Sequence, residues 1–271
     1  MRHIEVLFTP AEFEALAHRD LSSATCVVFD VLRATTSILT AIQNGADAVI
    51  PVSDITEAVA WSKRRPDVLL AGERDGLRIT AALSGGTDFD FGNSPREFTP
   101  GAVAGRTLVM TTTNGTRALR ACLGAAHIIV AGFVNLGPVA NWLVRANPGR
   151  LFIVCSGTGE AAALEDCLAA GALVAAMPKP GAATCMSDSA HMARELFCAV
   201  RGDLPGAVSM ARNARRLLGN PELREDVAIC LRRDVVGVVA GLDPEGAVRR
   251  LVLPAGGDDE PDGGVASTAA L

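Results

Sequence analysis

Residues 107–119 read T-L-V-M-T-T-T-N-G-T-R-A-L, and this stretch decides the fold class. Leu108 to Met110 is a short apolar run of strand composition. Three threonines, Asn114-Gly115 and Thr116-Arg117 follow, and helix formers begin at Ala118. A strand, a hydroxyl- and glycine-rich turn and a helix start make an arrangement that binds an anion. The first backbone N–H groups of a helix lack partners within it, and the helix dipole lies behind them. Gly115 lets the backbone come close to a ligand, and Arg117 offers a planar fork of donors. A tight β-to-α turn would also favour Asn-Gly, because both residues tolerate positive φ.

Outward from this stretch, strands and helices alternate. Ile4 to Phe8 reads as a strand, followed by a helix from Thr9-Pro10 to His18. Cys26 to Val31 is a near-continuous apolar strand, as expected in a parallel sheet covered on both faces. Helix 35–44, strand 46–52, helix 54–65 and strand 67–71 follow, then an irregular stretch over 77–106. Beyond the opening motif come strand 127–132, helix 136–146, strand 151–155 and an Ala-rich helix over 162–177. Helices at 187–201 and 205–219 and short closing strands at 226–231 and 235–239 complete the reading. This pattern predicts an α/β/α fold with mostly parallel strands. The Asn147-Pro148-Gly149 break suggests two lobes, 1–147 and 148–255, with a disordered acidic tail over 256–271.

At 271 residues and 49% hydrophobic content the chain can bury a large core. Aromatic content is only 4%, with no Tyr, so Ala, Val and Leu must fill that core. A net charge of −5 gives no basic surface for nucleic acid, and an anionic ligand must be met by a few local arginines. Seven cysteines without a C-x-x-C spacing point to reduced thiols. No signal-peptide core and no membrane-length apolar run stand out, so a soluble cytoplasmic protein is expected.

Ligands of open parallel sheets bind beyond the carboxyl ends of the strands. Those positions hold Asp30, Arg33, Thr35 and Thr36; then Glu73, Arg74 and Asp75; then Asp90, Asn93 and Ser94. The opening motif adds Thr112, Asn114, Gly115, Thr116 and Arg117, and the strand ending at Cys155 adds Ser156, Gly157, Thr158, Glu165 and Asp166. This mixture suits a phosphate ester held by arginines and helix starts, with a hard divalent cation held by carboxylates. Familiar phosphatase signatures are absent: the residue six places after Cys155 is Ala161 instead of Arg, and Asp30 is followed two places on by Leu32 instead of Asp.

D-V-L-R-A-T-T (30–36), G-E-R-D-G (72–76), F-D-F-G-N-S-P (89–95), T-T-T-N-G-T-R-A (111–118) and V-C-S-G-T-G (154–159) with L-E-D (164–166) together resemble the 2-phosphosulfolactate phosphatase, or ComB, family. The resemblance runs from about Val27 to Gly171, and D-V-A-I-C-L (226–231) resembles the family's C-terminal segment. It implies a ComB-like fold of two α/β lobes with the site between them. It also implies a Mg²⁺-dependent acid phosphatase that converts 2-phospho-3-sulfolactate to 3-sulfolactate, a coenzyme M biosynthesis step in methanogens. Thr87-Asp88 and L-E-D-C-L-A-A-G (164–171) depart locally from the family pattern, which puts substrate fit in question more than reaction type.

On this reading Asp30 is the nucleophile, with capping of the following helix as its structural alternative. Glu73, Asp75 and Asp166 are the expected Mg²⁺ ligands, with Glu165 a weaker one. Arg33, Arg74 and Arg117 are expected to share the phosphate, carboxylate and sulfonate of the substrate, with Arg33 and Arg117 counted with Asp30 as catalytic. Thr35, Thr36, Asn93, Ser94, Thr112, Asn114, Gly115, Thr116, Ser156 and Gly157 are the expected substrate contacts. A phosphotransferase on a phosphorylated hydroxy acid and a non-catalytic sensor of a small polyanion are the other readings. The carboxylates at the same edge argue against the sensor, because they repel an anion unless a metal lies between. A symmetric homodimer is the default expectation.

Overall fold

The computed structural model describes residues 2–178 and 184–252; the expected tail over 256–271 lies outside the described residues. The strands are β1 (Arg2–Leu7), β2 (Ala24–Phe29), β3 (Ala48–Pro51), β4 (Leu69–Arg74), β5 (Leu77–Arg78), β6 (Thr107–Thr111), β7 (His127–Ala131), β8 (Arg150–Cys155), β9 (Thr184–Met186), β10 (Ala240–Leu242) and β11 (Val248–Arg250). The helices are α1 (Pro10–Glu14), α2 (Ala34–Gln43), α3 (Ile55–Arg64), α4 (Ala81–Ser84), α5 (Pro100–Val103), α6 (Gly115–Ala121), α7 (Leu136–Ala146), α8 (Leu164–Ala176), α9 (Asp188–Val200), α10 (Leu204–Ser209), α11 (Arg212–Leu218) and α12 (Arg224–Cys230).

All strands join one sheet in the order β5-β4-β6-β3-β11-β10-β7-β2-β8-β1-β9. It contains two parallel blocks, β4-β6-β3 and β7-β2-β8-β1-β9. The antiparallel hairpin β10–β11 lies between them. Ala240 to Leu242 pair with Val130 to Ile128 of β7, while Val248 meets Val49 of β3. All six residues of β2 are buried, as its unbroken apolar run predicts for a strand covered on both faces. The α/β class with largely parallel strands is therefore what the chain adopts.

The lobe boundary expected at 147/148 does not divide the sheet, because β8 pairs with β1 and β2 from the other side of that position. Parallel neighbours need long crossovers, so the chain leaves the larger block after β2, builds β3 to β6, and returns at β7. The Asn147 break is instead a helix stop, with Asn147 in the left-handed region at φ 40°. Apolar cores fill both faces of the sheet. One joins Phe29, Phe133, Trp142, Leu168, Leu173 and Phe197 under α7, α8 and α9. The other joins Phe13, Leu16, Ile38, Leu39, Leu108 and Phe152 under α1 and α2.

Three local expectations need correction. Residues 226–231 belong mainly to α12 and form no strand; Asp226, Val227 and Cys230 are buried at the spacing of one helix face. The closing strands are the β10–β11 pair, which starts after 235–239, and the helix expected over 205–219 is split into α10 and α11 at Met210-Ala211.

Candidate active site

The carboxyl ends of β2, β4 and β6 face a cavity of about 330 Å³. Asp30, the first residue past β2, lies in its wall and is 9% exposed. The Ala34 amide donates to Asp30 Oδ1 at 3.2 Å, and the Thr35 hydroxyl bonds both the N–H and the C=O of Asp30. Asp30 thus holds the start of α2 and faces the cavity at the same time. Burial pushes its carboxyl up from 3.8 to about 6; the Ala34 amide and the Ser156 hydroxyl oppose this, and Glu73 and Glu165 add to it.

Gly115, the first residue of α6, is packed against that carboxylate. A Cβ there would stand 2.7 Å from Asp30 Oδ2 and 2.7 Å from Ala34 Cβ. Glycine is required by this close approach, which brings the starts of α2 and α6 together beside Asp30. Thr112 and Asn114 also line the cavity. Thr116 is buried, and its hydroxyl returns to the Thr112 carbonyl at 3.1 Å.

Arg33 is 3% exposed and lines the cavity. Its Nη1 pairs with Asp226 at 2.7 Å, and its Nη2 donates to the Gly76 carbonyl at 2.7 Å. Asp226 also accepts from Ser94 and Arg96, so Ser94 serves this network and not the cavity that Asp30 lines. Asn93 does line that cavity, and its buried Oδ1 has no hydrogen-bond partner. Thr36, in the first turn of α2, donates to the Val31 carbonyl and does not line the cavity.

The expected metal ligands are not gathered together. Glu73 accepts from the Thr113 amide and hydroxyl at 3.0 Å and from the Gly76 amide at 2.7 Å, tying the β4–β5 turn to the β6–α6 loop. Asp75 is exposed at the cavity edge. Asp166 lies beneath the site and accepts from the Val31 amide at 2.8 Å and from the Ser156 hydroxyl and Gly157 amide at 3.1 Å. Burial, with Glu165 and Asp30 nearby, pushes the Asp166 carboxyl up. Among the described residues no group of three or more His, Cys, Asp or Glu side chains is placed to hold a metal.

Two arginines expected in the site lie elsewhere. β4 extends through Arg74, so Glu73 and Arg74 project to opposite faces; Arg74 bonds the Thr111 hydroxyl at 3.1 Å on the neighbouring strand. Arg117 is drawn to the surface by Glu14 and Glu160, pairing with Glu160 at 2.9 Å. The facing wall comes instead from α11, whose Arg212, Asn213 and Arg216 line the cavity beside Thr158 and Gly159. Arg212 donates to the Thr158 carbonyl at 2.7 Å, and Asn213 bonds both the Thr158 hydroxyl and buried Glu165 at 2.7 Å. Positions 212, 213 and 216 share one helix face, a signal present in R-N-A-R-R but passed over when that segment is read only as helix.

A polar cavity at the ends of parallel strands, with one buried carboxylate and three nearby guanidinium groups, defines an α/β enzyme site for a small anion. The family described as 2-phosphosulpholactate phosphatase matches residues 11–244, and the chain belongs to it. A probable 2-phosphosulfolactate phosphatase of Caldanaerobacter subterraneus subsp. tengcongensis is 41% identical over 169 residues, 62% of this chain and 67% of that protein. Proteins of the same description from Caldicellulosiruptor saccharolyticus and Clostridium novyi are 35% and 34% identical, over 86% and 81% of this chain and 95% and 89% of their own lengths. The family is one of phosphoric monoester hydrolases. No helix among the described residues is long and apolar enough to cross a membrane.

Proposed function

We propose that this chain hydrolyses 2-phospho-3-sulfolactate, or a related 2-phospho-hydroxy acid, to the hydroxy acid and phosphate. The observation that carries this reading is Asp30, a buried carboxylate facing a cavity walled by arginines and by the start of α6. In its ionised form Asp30 attacks phosphorus, the bond to the ester oxygen breaks, and that oxygen leaves as the alcohol by taking the proton carried by the phosphate monoanion. Water then cleaves the aspartyl-phosphate. Burial weakens hydration of the carboxylate, and the guanidinium groups lining the small cavity balance the charges of an anionic substrate.

Mg²⁺ belongs to the same proposal. The ion usually keeps several waters and takes one or two protein carboxylates together with substrate phosphate oxygens. Asp30 and Asp75 face the cavity, whereas both oxygens of Glu73 are bonded to protein donors. Asp30 and Asp75 are the carboxylates that would hold such an ion, which would neutralise phosphate charge. Phosphate release from racemic 2-phospho-3-sulfolactate, 2-phospholactate and phosphoglycolate, with and without Mg²⁺, tests the reading. Mg²⁺-dependent turnover is expected, strongest on the sulfonated ester; no release from any ester by folded protein would reject it.

A further inference from the structure

We propose that Arg216 and Arg33 form a two-arginine clamp over Gly76 that receives the sulfonate of the substrate, making Arg216 the residue that selects sulfonated from unsulfonated esters. Gly76 has φ +81°, and a Cβ placed there would stand 3.8 Å from Arg216 Nε, 3.9 Å from Arg216 Cζ and 3.9 Å from Arg33 Nη2. Two guanidinium groups therefore converge on one small volume at the edge of the cavity. Their charges are not balanced alike. Arg33 is paired with buried Asp226 at 2.7 Å, whereas Arg216 has no carboxylate within ion-pair distance among the described residues. Glu165 feels the charge of Arg212 and Arg216, but its one bonded oxygen is committed to Asn213.

Asp226 balances only one of the two guanidinium charges, so the pair keeps a net positive charge that an anion between them offsets. Arginine forks suit a group with several oxygens, such as a sulfonate. The phosphate must lie against Asp30 for attack, and the clamp lies toward α11, so a separate group of the same molecule fills it. This assignment rests on the phosphatase reading above.

Steady-state kinetics of wild type, Arg216→Gln and Arg216→Lys on 2-phospho-3-sulfolactate and 2-phospholactate test it, with calorimetric binding of 3-sulfolactate and lactate alongside. Arg215→Gln, on the exposed face of the same helix, is the control for folding and for non-specific charge. Loss of charge-assisted bonds predicts an about 10- to 100-fold fall in kcat/KM of Arg216→Gln on the sulfonated ester, carried by KM, against less than about threefold on 2-phospholactate. Arg216→Lys keeps the charge without the fork and should fall between. Equal losses on both esters, or none, would overturn the clamp. If wild type hydrolyses neither ester, the phosphatase reading fails by itself. The binding arm still decides the clamp: weaker 3-sulfolactate binding by Arg216→Gln, with lactate unchanged, supports it, and equal binding by the two proteins overturns it.

Discussion

Asp30, the first residue past β2, and Asp166, in the first turn of α8, are both buried acids, yet the structure uses them in opposite ways. Asp166 accepts three hydrogen bonds and ties the loop after β2 to the loop after β8, with no contact to the cavity. Asp30 accepts one bond from the Ala34 amide and faces the cavity. A carboxylate whose lone pairs are filled by protein donors is a strut, and one left under-bonded beside a cavity is available for chemistry. Residue type and strand-end position are thus insufficient to assign a catalytic role; the hydrogen bonds decide.

This contrast can be broken at several points. The largest effect is expected from Asp30→Asn, which should lower kcat by about 10⁴-fold or more, as removal of a nucleophile commonly does. Retention of more than a tenth of the activity in a phosphate-release assay would remove Asp30 from that role. Asp166→Ala should act on stability, by about 3 kcal/mol or more in urea unfolding, because three buried donors lose their acceptor. An unchanged midpoint would contradict the strut.

Asp30→Asn should also stabilise the protein at neutral pH. The folded carboxyl titrates at about 6 against 3.8 unfolded, so the folded state holds the extra proton between these values. Stability then falls as pH rises through that window, by about 3 kcal/mol in all. The Asn variant escapes this loss, so its Tm in metal-free buffer should exceed wild type at pH 7.5, with no such gain near pH 3.5. Gly115→Ala, whose new methyl would collide with both Asp30 Oδ2 and Ala34 Cβ, should cost about 10- to 100-fold in kcat and about 1–3 kcal/mol of stability, read by comparing turnover with Tm. The smallest effect belongs to Arg117→Gln. It breaks the surface ion pairs with Glu14 and Glu160 and should change kcat/KM by less than about threefold.

Much of the frame was legible in the sequence. β2 announced itself by its apolar run, α7 spans the predicted 136–146, and the strand-turn-helix of 107–119 is β6 and α6. What failed were assignments that depend on direction. Glu73 and Arg74 look alike when the strand is taken to end at residue 71, but it continues through both, and its alternation sends one inward and the other away. Arg117 shares the favourable segment with Thr112 and Asn114, yet acids at positions 14 and 160, remote in sequence, capture it. The facing wall on α11 and the α12 acid that holds Arg33 come from segments whose helical period was either read without its polar face or taken for a strand.

The β10–β11 hairpin has a consequence for how the chain emerges from the ribosome. It is made last, yet it lies in the middle of the sheet, between β7 and β3. Until residues 240–250 have been synthesised, the inner borders of both strand blocks present backbone donors and acceptors with no partner, a surface that other nascent chains can pair with. The residues that line the cavity are all encoded before that point. A ribosome stalled after α12 would therefore carry every residue of the cavity on a sheet whose two halves are not yet stitched, and its product should aggregate where the full chain stays dispersed.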